Sequence, residues 1–162
     1  MGIAQDLLQQ AVHLAAYEGS NPSQASLRRA VSTRTMRFFI LLIEDAALRW
    51  QGSLEARTGL ERAFDHGPMK NTSMQFRTPI WQDWHGIRQP VPPALQKVAS
   101  AFVDLQEERH KADYDNHEQW SATEVHATLN TARSAFHHWQ SIRTDPMAGN
   151  YLLAMLLKKQ RS

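Results

Sequence analysis

The chain contains no cysteine, so neither a disulfide frame nor a thiolate metal site can be built from it. No apolar run approaches the roughly 20 residues that a spanning helix needs. The longest, Phe38 to Ile43, is far shorter. No G-x-x-x-x-G-K-[ST] phosphate loop occurs, which argues against a nucleotide-hydrolysing domain. A G-x-S-x-G nucleophile turn is missing as well. No Lys/Arg block dominates and the formal net charge is only +2, so charge alone does not announce a nucleic-acid surface. Alternating strand patterns are absent, and periodicity is helical almost throughout. The opening MGIAQDLLQQ carries Asp6 and several glutamines and does not read as a signal peptide. These absences lead to the expectation of a cytoplasmic protein with no membrane partner.

What is present is 162 residues with 42% hydrophobic and 21% charged content, ordinary for one globular domain with a real core. A single domain over 1–162 is expected. The spacing predicts a first helix over about Ala4 to Glu18, stopped by GSNPS at Gly19 to Ser23. A long second helix follows, from about Ser23 to Trp50, with Met36, Phe39, Ile43, Ala46 and Trp50 as its stripe and Val31, Phe38 and Leu42 beside it. A short third helix, about Ser53 to Phe64, is closed by Asp65-His66-Gly67-Pro68. Residues 68–92 hold most of the prolines and little periodicity, so they are expected to be a long irregular loop that packs Trp81 or Trp84 onto the bundle.

Pro92 and Pro93 open a fourth helix running to about Ala112. Ser121 followed by Glu124 has capping-box spacing and starts a fifth, with Val125, Leu129, Ala132, Phe136 and Trp139 as its stripe. Asp145-Pro146 begins a last short helix ending in KKQRS, whose cations suit a helix C-terminus. The expected fold is therefore all-α: an antiparallel bundle of four to six helices with one elaborate loop before the fourth.

The end of the fourth helix, LQEERHKADYDN, carries the chemistry. Arg109 falls on the stripe of Val98, Phe102 and Leu105, where a guanidinium is costly unless an acid or phosphate pairs with it. Asp113 lies one turn on, at pairing distance. Two readings fit. Arg109, Asp113 and Tyr114 close the helix end, or Arg109 is presented to an anion in a groove, where its fork meets two phosphate oxygens. Asp113, Asp115 and His117 spell D-x-D-x-H, but nothing nearby completes a ligand set, so neither metal nor cofactor is expected. Arg28, Arg29, Arg34 and Arg37 cluster in ten residues. Such a cluster is either a solvated face or a surface for phosphates or a partner's acids.

The run AVSTRTMRFFILLIEDAAL, with LQEERHKADYD further on, resembles the HEPN superfamily. It is similar to bacterial HEPN-like proteins whose second helix reads AVSxAYYALFH and whose fourth ends in RxxADY. The specific parts are Arg28-Arg29-Ala30-Val31-Ser32 and Arg109 through Asp115. The resemblance implies a helical bundle, usually a homodimer, and in active members a groove at the dimer interface that cleaves RNA without a metal. There a ribose 2′-hydroxyl attacks the neighbouring phosphodiester, with a base, an acid and a cation over the phosphate. Family members supply an Arg and then, after four to six intervening residues, a His. In this chain the nearest allowed position holds Tyr114, and His117 lies just beyond the far end. His110 matches the polar residue that often follows the Arg. Residues 34–40 also depart from AYYALFH, bringing in Arg34 and Arg37.

The resemblance implies Arg109, His110 and Tyr114 as catalytic candidates, with Arg34, Arg37, Asp113 and His117 as binding candidates. The expected function is RNA binding or cleavage, as a metal-independent endoribonuclease of a toxin–antitoxin or defence system with an altered active site. The alternative is a non-catalytic dimeric module working with an antitoxin of nucleotidyltransferase type or another protein partner.

Overall fold

A computed structural model describes residues 23–50 and 53–157. The expected helix over Ala4 to Glu18 lies outside them. Six helices and one two-stranded sheet appear among the described residues, which makes the protein an all-α helical bundle. No described helix is long and apolar enough to cross a membrane.

Helix α1 runs Gln24–Arg49, begun by the Ser23 hydroxyl, which accepts from the Ser26 N–H at 3.2 Å. Helix α2, Leu54–Ala63, is capped in the same way by Ser53, which accepts from Ala56. Helix α4 spans Pro93–Tyr114 and α5 spans Ala122–Ile142. The capping box at α5 is complete. The Ser121 hydroxyl accepts from the Glu124 N–H at 3.2 Å, and the Glu124 carboxylate accepts from the Ser121 N–H at 2.8 Å. Helix α6, Pro146–Leu157, starts where Asp145 accepts from the Met147 N–H at 2.8 Å.

Residues 68–92 do not form the expected irregular loop. Helix α3 covers His66–Phe76 and buries Met69, Thr72, Ser73 and Phe76, a helical 3–4 spacing. Gly67 and Pro68 sit inside its first turn. Proline costs nothing there, because the first N–H groups have no helical partner. The pair therefore starts a helix rather than stopping one.

Strands β1 (Ile80–Gln82) and β2 (Arg88–Pro90) then form an antiparallel hairpin that pairs Trp81 with Gln89. Its turn is held by one carboxylate. Asp83 accepts from the His85 and Ile87 N–H groups at 2.9 Å each and from Gln89 Nε2 at 2.7 Å. Gly86 supplies the left-handed residue at φ 80°.

The chain divides into two compact units, with the division falling inside α1, α4 and α5. One comprises residues up to Leu41 with Asp104–Ser134; the other comprises Leu42–Val103 with residues from Ala135 on. In the first unit, Thr35 donates to the Leu105 carbonyl at 2.9 Å and Arg28 to the Asp115 carbonyl at 2.8 Å, so α1 and α4 run antiparallel. Its core gathers Leu27, Ala30, Val31, Ala112, Trp120, Val125 and Leu129.

In the second unit α3 packs on α6, where the Ser73 and Tyr151 hydroxyls share a buried hydrogen bond of 2.7 Å. Burial pushes the Tyr151 phenol above its ordinary value. Phe76 bridges Tyr151 and Trp81, at ring distances of 5.0 and 4.7 Å. Of the two loop tryptophans, Trp81 is the one that is buried; Trp84 stands edge-on to it and is 46% exposed. Trp81→Ala is therefore expected to cost about 3–5 kcal/mol, and Trp84→Ala less than about 1 kcal/mol. Urea unfolding of the two variants checks the contrast, and equal losses would contradict it.

Candidate functional site

The chemistry-bearing residues at the end of α4 all lie in the first unit, and the helix turns them in two directions. His110 and Tyr114 are one turn apart on one side, with ring centroids 5.0 Å apart. Arg109 and Asp113 are one turn apart on another. Together with Lys111, Asp115, Asn116 and His117, the His110 and Tyr114 rings line an open cleft of about 410 Å³. Tyr114 is 73% exposed, so its phenol is free to meet a ligand.

Arg109 is not among the residues lining this cleft. Its Nε donates to the Asp113 carboxylate at 3.1 Å and its Nη1 reaches the Met36 sulfur at 3.2 Å. Its side chain is 24% exposed, so it is largely buried, as its place on the stripe led us to expect, with one edge left to solvent. The physical reason is its place in the last turns of α4, at the edge of the stripe that Leu105 and Ala112 continue inward. Asp113 is the expected partner. It is spent on Arg109 and does not line the cleft.

The residue that shapes the cleft is Arg28. Its guanidinium donates to the Asp115 carbonyl at 2.8 Å, the Glu118 carbonyl at 2.7 Å and, more loosely, the Ala112 carbonyl at 3.5 Å. The Ala112 carbonyl is one of those left open in the last turn of α4, and the Asp115 and Glu118 carbonyls belong to the turn that follows it. Arg28 thus cations the helix end and fixes the 115–118 turn that carries His117. Asp115 tightens the same turn by accepting from the His117 N–H at 3.0 Å. Gln24 anchors its far side, exchanging hydrogen bonds of 2.8 and 2.7 Å with the Trp120 backbone. In sequence Arg28 was only one of four clustered arginines, and no local spacing connects it to a turn 87 residues away.

Arg34 and Arg37 lie neither on a solvated face nor in the cleft. Both are buried, at 0% and 2% exposure, on the inner side of α1 with Leu27, Val31 and Phe38. The Nη1 of Arg34 makes a long hydrogen bond to the Val125 carbonyl at 3.5 Å, while its Nε and Nη2 have no hydrogen-bond partner among the described residues. Burial, with Arg133 and Arg37 nearby, lowers its pKa to about 9. Among the described residues no group of three His, Asp or Glu side chains is placed to hold a metal ion.

Because Arg109–Asp113 is a partly solvated i,i+4 pair, Arg109→Ala is expected to cost under about 1 kcal/mol. Arg28→Ala removes charge-assisted bonds to carbonyls and is expected to cost about 2 kcal/mol. Chemical unfolding of both variants checks the order; a larger loss at Arg109 would reverse this assignment.

No protein-family model, curated protein or solved structure matches the chain. The HEPN resemblance accordingly stands on its quoted motifs.

Proposed function

We propose that the protein acts on RNA, with the cleft at the end of α4 as a metal-independent endoribonuclease site in a HEPN-like homodimer of a toxin–antitoxin or defence system. The observation that carries this reading is the gathering of His110, His117, Lys111 and Tyr114 around one open cleft. Histidine serves both halves of a proton transfer near neutral pH. One imidazole takes the proton of a ribose 2′-hydroxyl as its oxygen attacks phosphorus. The P–O5′ bond breaks, and the other imidazole protonates the departing 5′-oxygen, leaving a 2′,3′-cyclic phosphate. The Lys111 ammonium, which rests on the Glu108 carboxylate at 3.1 Å, turns to meet the charge that builds on the phosphoryl oxygens. In this reading His117 replaces the motif histidine that its spacing from Arg109 excludes, and Arg109 braces the helix end.

The second reading is a non-catalytic dimeric module that works with a protein partner such as a nucleotidyltransferase-type antitoxin. The commitment of Arg109 to Asp113 and Met36 favours it. One assay separates the two: incubation of the purified protein with total RNA or tRNA, with and without EDTA. The first reading expects cleavage that EDTA leaves intact. Intact RNA in both lanes supports the second.

A further inference from the structure

We propose that Arg34, together with Arg37 and Arg133, forms a seat for a phosphate group in the first unit, separate from the His110–His117 cleft. A guanidinium taken out of water without a counter-charge destabilises a fold by several kcal/mol, and a stranded partner of a buried pair is among the most damaging features a core can hold. Arg34 is fully buried and has no hydrogen bond or ion pair from any carboxylate among the described residues.

The atoms left over have a particular geometry. Nε and Nη2 are the two unsatisfied nitrogens, and they form one side edge of the guanidinium. That edge presents two parallel N–H groups, the arrangement that grips two oxygens of one oxyanion. Nη1, on the other side, is the nitrogen that rests on Val125.

The surroundings choose the charge of the ligand. The charged groups acting on Arg34 are Arg133 and Arg37, both positive. Arg37 follows Arg34 by three residues on α1, and Arg133, on α5, is near enough for its charge to act on Arg34. Three guanidiniums suit a dianionic phosphate better than a single carboxylate. Arg133 is exposed, so it offers the anion its first contact from solvent and Arg34 the inner one. The same chemistry is met by free inorganic phosphate or by a phosphate carried on RNA.

Thermal unfolding at constant ionic strength, with inorganic phosphate exchanged for chloride, tests the seat directly. Saturating phosphate is expected to raise the Tm by roughly 5–10 °C, the size expected at about a hundredfold excess over Kd for a chain of this length. Arg34→Met keeps the volume and removes the charge. It should unfold no earlier than the wild type in chloride and should show no phosphate-dependent rise. Arg133→Met, at an exposed position, should fold normally and weaken phosphate binding about tenfold, which keeps the test valid if the Arg34 variant does not fold. A His110→Ala/His117→Ala variant should retain the full rise, so failure of the cleft reading and failure of this one are told apart. A trinucleotide with and without a 5′-phosphate distinguishes the sources: a rise with inorganic phosphate alone assigns a free anion, and a larger rise with the phosphorylated RNA assigns the nucleic acid. A wild-type Tm unmoved by phosphate, or a rise undiminished in the Arg133 variant, overturns the proposal.

Discussion

Asp45→Ala is expected to destabilise the second unit by about 3–4 kcal/mol. Asp45 is 8% exposed, and its carboxylate accepts from the indole Nε1 of Trp139, itself fully buried, and from the Arg143 guanidinium. The Arg143 side chain is 44% exposed, so that half of the interaction is screened and contributes little. Most of the loss comes from the indole N–H, which alanine leaves buried with no acceptor, and from the space the carboxylate vacates. Asp45→Asn retains an acceptor for Trp139 and should cost about half as much. Equilibrium unfolding in urea separates the two variants. An alanine variant within about 0.5 kcal/mol of wild type would show that water replaces the carboxylate, and the network would lose its structural role.

His117→Ala is expected to reduce RNA cleavage by about 10²–10⁴-fold, with His110→Ala in the same range. Both side chains are exposed, so neither change should move the Tm appreciably. The double variant should fall little further than the worse single one, because a base and an acid that serve one displacement fail as a unit. Arg28→Ala should also lower cleavage, through the 115–118 turn, but should be partly rescued by Arg28→Lys, which keeps a cation at the helix end.

Several elements are legible in the sequence because their causes are local. The Ser121–Glu124 box caps the helix it was expected to cap, Ser53 caps a helix expected to begin there, and Asp145-Pro146 begins α6. The Val98, Phe102 and Leu105 stripe is buried throughout. Elements whose causes are distant or ambiguous are less legible. Gly67-Pro68 carries the same residues whether it ends one helix or opens the next, and only the Met69, Thr72, Ser73, Phe76 spacing, diluted by two hydroxyl residues, spoke for α3. The hairpin strands have three residues each, too short for alternation to register.

The inner line of α1 passes through Leu27, Val31, Arg34 and Phe38. An apolar reading steps over the arginine and settles on Met36, which is only part-buried, and on Phe39, which is buried. The candidate site shows the same division. His110 and Tyr114 meet because four positions separate them on one helix, whereas Arg28's grip on the His117 turn joins residues about ninety positions apart.

The most direct measurement of the central claim uses two oligonucleotides of one sequence, all-RNA and 2′-deoxy, incubated with the protein in EDTA, with the cleaved ends identified by mass. The expected result is cleavage of the RNA alone, 2′,3′-cyclic phosphate ends, and loss of that product in the His110→Ala/His117→Ala variant. Intact RNA, equal cleavage of the deoxy strand, or an undiminished rate in the double variant would contradict it.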